Sequence, residues 1–209
     1  MIARIQEIAA SVPPTGDLAA DTDRLFRHYG REITREHVPR AAAEAKRLAL
    51  RFGVDSEQAE VAALLHDIGG VFRRSEMVEL CERLGFAVEP EERQVPLLLH
   101  AKLSVMLAQV WQDITDPAVL QAVRYHTTLH AQATPLDQVV FLADKLEWDQ
   151  GGIPPYHADL SAALEDGLDA GTRWMLGWMA TPAAKLLIPH PDLRAAWAAY
   201  GISTAETDR

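Results

Sequence analysis

Residues 35–70 read REHVPRAAAEAKRLALRFGVDSEQAEVAALLHDIGG, and the pattern of this stretch decides the fold class. Small and apolar residues recur at helical spacing through its first half, and Gly53 is a helix stop signal. Asp55 then caps a second helix, with a glutamine three residues on, and Gly69-Gly70 end it. The stretch therefore predicts two consecutive helices with no strand between them.

The rest of the chain continues in the same way. Helical patterns cover residues 97–111, the segments that open at Pro117 and Pro135, and residues 159–179. No strand alternation of useful length and no internal repeat is found. We expect an all-α fold of roughly eight helices. The expected organisation is an N-terminal leader with a short helix (1–30), a main domain (31–180), and a C-terminal helical tail packed on that domain (181–209).

The composition of the chain argues against some classes of function. The 209 residues include 20 Lys plus Arg against 30 Asp plus Glu, a net charge of −10. This acidity argues against a dedicated nucleic-acid binder, but a small phosphate-bearing ligand held by metal ions is compatible with it. Cys81 is the single cysteine, so no intramolecular disulfide and no cysteine-based zinc site can form. No signal peptide or membrane span is expected, and a cytoplasmic location fits.

Several histidines and aspartates interrupt apolar helical stretches. A buried carboxylate is costly unless it is paired or binds a metal, and Asp67 and Asp144 both lie in strongly apolar surroundings. His66 and His100 also lie in strongly apolar surroundings. One or two divalent metals would satisfy all of these groups, and a set without thiolates suits Mn, Fe, Co, Ni or Zn. Taken one at a time, each histidine is more often a hydrogen-bonded core residue.

The order of these residues carries a family resemblance. His37, then His66-Asp67, then Asp144 resembles the HD superfamily of metal-dependent phosphohydrolases. The additional His100 and His126 resemble its dinuclear members. Three stretches resemble the YqeK family more closely: residues 35–70, LLLHAKLSV (97–105) and AVRYHTTLHAQATPLDQVVFLADKLE (122–147).

The resemblance implies an HD-domain helical bundle that hydrolyses diadenosine tetraphosphate symmetrically to two ADP. It implies two divalent metal ions, iron first, with manganese or cobalt as alternatives, a metal-bridging hydroxide as nucleophile, and a homodimer. His66 and Asp67 would be the catalytic pair, with Asp67 bridging the ions. The implied metal ligands are His37, His66, Asp67, His100, His126 and Asp144.

Three departures from the family pattern leave the substrate open. Gly70 stands where the family usually has a lysine, Leu129-His130 replace a glycine and a basic residue, and Trp148-Asp149-Gln150 replace a proline with a nearby arginine. Another nucleotide, a cyclic nucleotide or a single-stranded oligonucleotide is therefore an alternative substrate. A regulatory metal-binding HD module with little catalysis is the alternative from another class. The candidate phosphate ligands are Arg73, Arg74, Lys102 and His130.

The remaining features are assigned to packing or to the surface. The tryptophans and methionines of residues 174–179 recur at helical spacing and predict a core stripe. Lys145 is left out of the site, because a helix turns it about 100° from Asp144. His28, His157 and His190 are expected at the surface. Cys81 is expected to be half-buried and inert.

Overall fold

The computed structural model describes residues 3–204, and within that range it is all-α with no strand. Residues 1–2 and 205–209, the ends of the predicted leader and tail, lie outside the described part. The α-helices are α1 (Ala3–Ser11), α2 (Leu18–His28), α3 (Glu32–Phe52), α4 (Ser56–Leu65), α5 (Arg74–Arg83), α6 (Pro90–Gln94), α7 (His100–Gln112), α8 (Pro117–Tyr125), α9 (Pro135–Leu146), α10 (His157–Ala163), α11 (Leu168–Met179) and α12 (Pro191–Ala199).

The all-α class is confirmed, and the described residues hold twelve α-helices where we expected roughly eight. One addition is α6, which lies within residues 86–96. This stretch is polar and contains Pro90 and Pro96, so its sequence predicts a loop. The helix forms because the backbone N–H of Glu89 donates to the Glu92 carboxylate at 2.8 Å, closing its first turn. The expected helix 159–179 is divided because Gly167 adopts φ 126°.

The centre of the molecule is the α3–α4 hairpin with α9 and α8 packed against it. Gly53 ends α3 with φ 71°, in the left-handed region that glycine adopts without strain. The Asp55 side chain caps α4 as predicted, accepting from the backbone of Glu57 and Gln58. Because α3, α4 and α9 share one core, polar residues at their ends can meet.

A short 3₁₀ turn, Ile68–Val71, follows α4 and packs tightly on α7. The backbone N–H of Gly69 donates to Ser104 Oγ at 2.8 Å. A Cβ on Gly69 would collide with the backbone of His100 and would lie 2.7 Å from the nitrogen of Ser104. Only glycine permits this approach, which brings the end of α4 beside the start of α7.

Both ends of the described range join the core. Ile5 and Ile8 of α1 are fully buried, and α1 packs on α7. At the other end, the indole nitrogen of Trp197 in α12 donates to the backbone oxygen of Leu176 at 2.9 Å. The predicted stripe on α11 is confirmed for Met175 and Met179, which are buried, whereas Trp174 and Trp178 are partly buried and pack against the core. The boundaries proposed at residues 30 and 180 stay a prediction.

Within residues 3–204, no helix is both long and apolar enough to cross a membrane.

Candidate metal centre

The six residues predicted as metal ligands converge at one place in the fold. α3, α7 and α9 each carry one of them, and the others directly follow α4 and α8. We call these six residues the metal-ligand cluster. Its members are His37, His66, Asp67, His100, His126 and Asp144.

One half of the cluster joins α3, the end of α4 and α9. His37 Nε2 lies 3.1 Å from His66 Nε2 and 3.2 Å from Asp144 Oδ1. His66 Nε2 lies 3.5 Å from Asp67 Oδ2. Two imidazoles and two carboxylates therefore aim their donor atoms at one point.

The other half joins the end of α4, the start of α7 and the end of α8. His100 Nε2 lies 3.0 Å from His126 Nε2 and 3.1 Å from Asp67 Oδ1. His126 Nε2 lies 3.5 Å from the same oxygen. Asp67 thus offers Oδ2 to the first half and Oδ1 to the second, so that one carboxylate connects both.

Backbone carbonyls fix the tautomer of all four histidines. A carbonyl oxygen only accepts, so each Nδ1 that bonds one must carry the hydrogen. The four Nδ1–carbonyl distances are 2.5 Å for His37 to Glu147, 2.6 Å for His66 to Ala63, 2.6 Å for His100 to Leu97 and 2.8 Å for His126 to Val123. The four Nε2 atoms are left with lone pairs that face into the cluster.

These donor atoms fit divalent cations. Two lone pairs facing each other at 3.0–3.1 Å repel, unless a proton or a metal ion lies between them. Ligands at right angles around one ion, each about 2.1 Å from it, are themselves about 3 Å apart. Each histidine also has the carbonyl partner that orients metal-binding imidazoles in proteins. The arrangement suits one ion in each half.

Two members of the cluster, Asp67 and His126, have protonation states at neutral pH that favour metal binding. Burial works to raise the pKa of the Asp67 carboxyl, but His66 and hydrogen bonds with His100 and His126 hold it well below its usual range. Burial lowers the pKa of His126 to about 4, and the neighbouring His66 and His100 add to this. The carboxylate is therefore charged and the imidazole neutral, as metal ligands must be.

Lys145 lies at the edge of the cluster, contrary to the prediction that left it out. Its Nζ lies 2.5 Å from Asp144 Oδ2 and 3.4 Å from the backbone oxygen of His126. Burial opposes ionisation of Asp144, but Lys145 and the histidine hydrogen bonds keep its pKa well below the usual value. The Lys145 side chain is long enough to reach Asp144, although a helix places the two residues about 100° apart. Sequence spacing alone does not show this reach.

The cluster opens into a cavity of about 970 Å³, which we call the metal cavity. Asp67 and Asp144 line it together with three of the histidines. Arg31, Arg73 and Arg74 line it too, so that cations and carboxylates share the cavity. Arg73 and Arg74 were candidate phosphate ligands, and the structure brings them to the cavity. Arg31 was not predicted, and a buried Nε without a hydrogen-bond partner is the signal that identifies it.

The structure corrects the two other candidate phosphate ligands. Lys102 is buried, and its ammonium already donates to Glu92 Oε2 at 2.6 Å and to the backbone oxygen of Ala87. His130 stacks on Tyr125, and its Nε2 lies 3.1 Å from Asp137 Oδ2. Neither side chain lines the metal cavity. Lys102 is paired with Glu92 instead, and His130 with Asp137.

Two minor assignments also change. His190 is buried rather than exposed, with Nε2 at 3.2 Å from Glu92 Oε1 and Nδ1 accepting from the backbone N–H of Asp192. Cys81 is fully buried, and burial raises its pKa to about 12. A protonated, inaccessible thiol is inert, as expected, although its burial is deeper than expected.

Comparisons with known proteins agree with this geometry. The family model described as HD domain matches residues 34–149, more than half of the chain. A protein of Lactococcus lactis subsp. cremoris, described as an uncharacterized protein in the pepC 5′ region, is 40% identical over 140 residues, covering 67% of this chain and 71% of that protein.

A relative with a named activity comes from Bacillus subtilis (strain 168). This symmetrical bis(5′-nucleosyl)-tetraphosphatase is 35% identical over 100 residues, which cover 48% of this chain and 53% of that protein. The match thus spans about half the length of the tetraphosphatase.

A solved structure shares the fold. It is that of a protein from Clostridium acetobutylicum described as a predicted HD superfamily hydrolase involved in NAD metabolism, with a TM-score of 0.70, 22% identity, and coverage of 94% of this chain and 95% of that one. The chain belongs to the HD domain family.

Proposed function

We propose that this protein cleaves a dinucleoside polyphosphate, converting diadenosine tetraphosphate into two ADP, with two divalent metal ions. One observation carries the proposal: two donor clusters that share Asp67 open into a cavity lined by three arginines. The tetraphosphatase named among the relatives supports the choice of substrate.

The ligand residues divide between two ions. His37, His66 and Asp144 would hold one ion, His100 and His126 the other, and Asp67 both. When bound, the ions lower the pKa of a water molecule and neutralise charge on the phosphates. Imidazole and carboxylate donors without thiolate suit iron, manganese or cobalt. The family resemblance implies His66 and Asp67 as the catalytic pair, and in this proposal they act as metal ligands.

Three arginines would bind the phosphate chain. Arg73 and Arg74 are exposed, and their guanidinium groups make no hydrogen bond to any residue from 3 to 204. Arg31 is anchored by weak hydrogen bonds from Nη2 to the carbonyls of Val71 and Phe72, which places it on the same wall. Arginine binds phosphate oxygens through two parallel hydrogen bonds, so this wall suits a polyphosphate.

Thr127 would supply a neutral hydrogen bond on the opposite side. Its Oγ1 lies 3.0 Å from His126 Nε2 and 3.5 Å from His100 Nε2, and the residue lines the metal cavity. A hydroxyl there can donate to a phosphate oxygen of the substrate. Such a hydrogen bond would orient the substrate without adding a charge beside the histidines.

A second candidate keeps the metal centre and changes the substrate. Gly70 lines the metal cavity, and a Cβ built on it meets no atom within 4 Å. The space that a lysine would fill is therefore open. Another nucleotide, a cyclic nucleotide or a single-stranded oligonucleotide is the substrate in this version of the proposal.

The predicted homodimer and cytoplasmic location belong to the same proposal. The homodimer is supported by family resemblance. The location is supported by the reduced, buried state of Cys81, which suits a compartment without disulfide formation.

A product assay tests the proposal. The protein, loaded in turn with Fe(II), Mn(II) or Co(II), is given diadenosine tetraphosphate, and the products are separated by anion exchange. ADP as the sole product is the expected result. AMP plus ATP contradicts symmetrical cleavage, and no product from a metal-loaded protein contradicts the substrate.

A paired variant tests the arginine wall in the same assay. Replacing both Arg73 and Arg74 by alanine should raise KM about tenfold or more, because charge-assisted hydrogen bonds to phosphate are lost. Arg83→Ala is the matched control, since Arg83 is equally exposed on α5 but outside the metal cavity. Equal effects of the two changes would remove the arginines from substrate binding.

A further inference from the structure

A second cavity of about 580 Å³ adjoins the metal cavity, and we call it the side cavity. It lies between the first turns of α3 and the segment 147–157, which follows α9. Ile33 and Asp149 line both cavities, so the two form one continuous cleft. The backbone oxygen of Glu147, which accepts from His37, lies at the start of the same segment.

The side cavity offers apolar surface to solvent. Ile33 is 66% exposed and Ile153 is 79% exposed, so two large aliphatic side chains line the same cavity and face solvent. Trp148 lines the cavity as well, and its indole nitrogen is already satisfied by the backbone oxygen of Gly152 at 3.0 Å. The tryptophan therefore presents ring surface rather than a free donor.

The segment that forms this wall is anchored. The hydroxyl of Tyr156 donates to the backbone oxygen of Lys145 at 3.0 Å, and its ring packs 4.4 Å from that of Trp178. Tyr156 and Pro154 are buried, while the residues between Trp148 and Pro154 face the cavity. The exposed apolar residues are thus held in place at the cleft.

The charges of the side cavity disfavour a phosphate. Glu36, Glu147 and Asp149 line it, and the one arginine present, Arg40, is bound by Glu147 Oε2 at 3.1 Å. The side chains of Asp149 and Gln150 make no hydrogen bond to any residue of the described range. Their side-chain oxygens are therefore free to accept hydrogen bonds from a neutral group with N–H donors on its edge, such as the amino group of adenine.

We propose that the side cavity binds a purine nucleoside at one end of the phosphate chain, with the base against Trp148 and Ile153. This inference rests on the proposed function, since it places the base beside a polyphosphate held at the metal cavity. It also gives Trp148, which lines the side cavity, a role in binding the base.

Ile153 is exposed, so a substitution there tests the proposal without unfolding the protein. Ile153→Arg fills the side cavity and adds charge, and the residue is too exposed for the change to unfold the protein. Leu187→Arg is the matched control, because Leu187 is 85% exposed and lines neither cavity. Equilibrium binding of ADP and of inorganic tripolyphosphate is measured for both variants and the wild type, each loaded with Mn(II).

Stacking of a base is worth a factor of about ten or more in affinity. Ile153→Arg should therefore weaken ADP binding about tenfold and leave tripolyphosphate binding within about twofold, while Leu187→Arg changes neither. Equal ADP affinity in Ile153→Arg and wild type overturns the proposal, as does a wild type that binds tripolyphosphate but not ADP.

The two proposals fail in different ways. The proposed function fails when the wild type does not cleave diadenosine tetraphosphate, whatever ADP binding shows. The base site fails when ADP binding does not depend on residue 153, whatever the product assay shows. For an active wild type, KM for diadenosine tetraphosphate should rise with the ADP dissociation constant in Ile153→Arg, with kcat within about twofold.

Discussion

Two buried polar clusters can be compared in this protein, because they contain the same kinds of side chain and differ in what balances their charge. The Lys102 cluster consists of Glu92, Lys102 and His190. Its ammonium and carboxylate lie 2.6 Å apart, with side chains 6% and 0% exposed, so the cluster contains its own cation. The metal-ligand cluster has two carboxylates and four imidazoles, and among residues 3–204 Lys145 is the one cation in direct contact with it.

The difference shows how a structural cluster can be told from a binding one. In the Lys102 cluster, donors face acceptors. In the metal-ligand cluster, acceptors face each other, with His100 and His126 Nε2 atoms 3.0 Å apart. Buried acceptors without donors are unfavourable, so the second cluster needs protons or external cations between its acceptors.

The largest expected effect comes from removing the shared carboxylate. Asp67→Asn should lower kcat at least about 100-fold, because one charge that both halves use is lost. Metal content by elemental analysis should fall in parallel. Asp159→Asn, an exposed aspartate on α10, is the control. A variant that keeps both full activity and full metal content would make the cluster structural, like the Lys102 cluster.

The opposite result is expected at the Lys102 cluster. Lys102→Met leaves Glu92 buried without its cation, and the free energy of unfolding should fall by about 3–5 kcal/mol. Urea denaturation measures this, and kcat of the folded protein should stay within about twofold. The double variant with Glu92→Gln should recover most of the loss. A loss of activity without a loss of stability would show that Lys102 serves the substrate after all.

A smaller effect is expected from replacing Lys145, the cation that contacts the metal-ligand cluster. Lys145 holds Asp144 Oδ2 while Oδ1 faces His37 and His66. Lys145→Met should weaken metal affinity about tenfold, because a partner that orients a ligand is lost. Lys145→Arg should keep most of it. Tighter binding by the methionine variant would mean that Lys145 competes with the metal instead of positioning its ligand.

The smallest effect concerns acid stability. Burial opposes ionisation of Glu92, but His190, Lys102 and the backbone of Glu89 lower its pKa to about 2. A lowered pKa adds stability above the unfolded value of about 4.5 and loses it as the pH falls toward 2. The stability difference between wild type and Glu92→Gln should shrink by about 1 kcal/mol, after screening, from pH 6 to pH 3. A difference that is constant with pH contradicts this.

The family resemblance implied the ligand set, and local contacts orient three of its four histidines. Three of the four histidines bond a carbonyl three residues earlier in the chain, as His66 does with Ala63. His66 and Asp67 end an apolar helix just before two glycines, and the close approach of Gly69 to α7 brings them to His100. Local sequence therefore fixes both the identity and the direction of these side chains.

The long cations could not be predicted in this way. The partner of Lys102 is Glu92, which lies on the short helix α6 in a stretch that predicted a loop. Lys145 reaches Asp144 by folding back along α9, and Arg31 reaches the metal cavity across the α2–α3 junction. Such side chains cover several ångströms, so tertiary neighbours decide where their charges lie.

The most direct test of the account is to locate the cations. Crystals grown with Mn(II) would be measured for anomalous scattering. Two peaks about 3.5–4 Å apart are expected, one beside His37 and His66 and one beside His100 and His126, with an Asp67 oxygen at each. A single peak, or no peak in the metal-ligand cluster of a Mn-containing crystal, would contradict it.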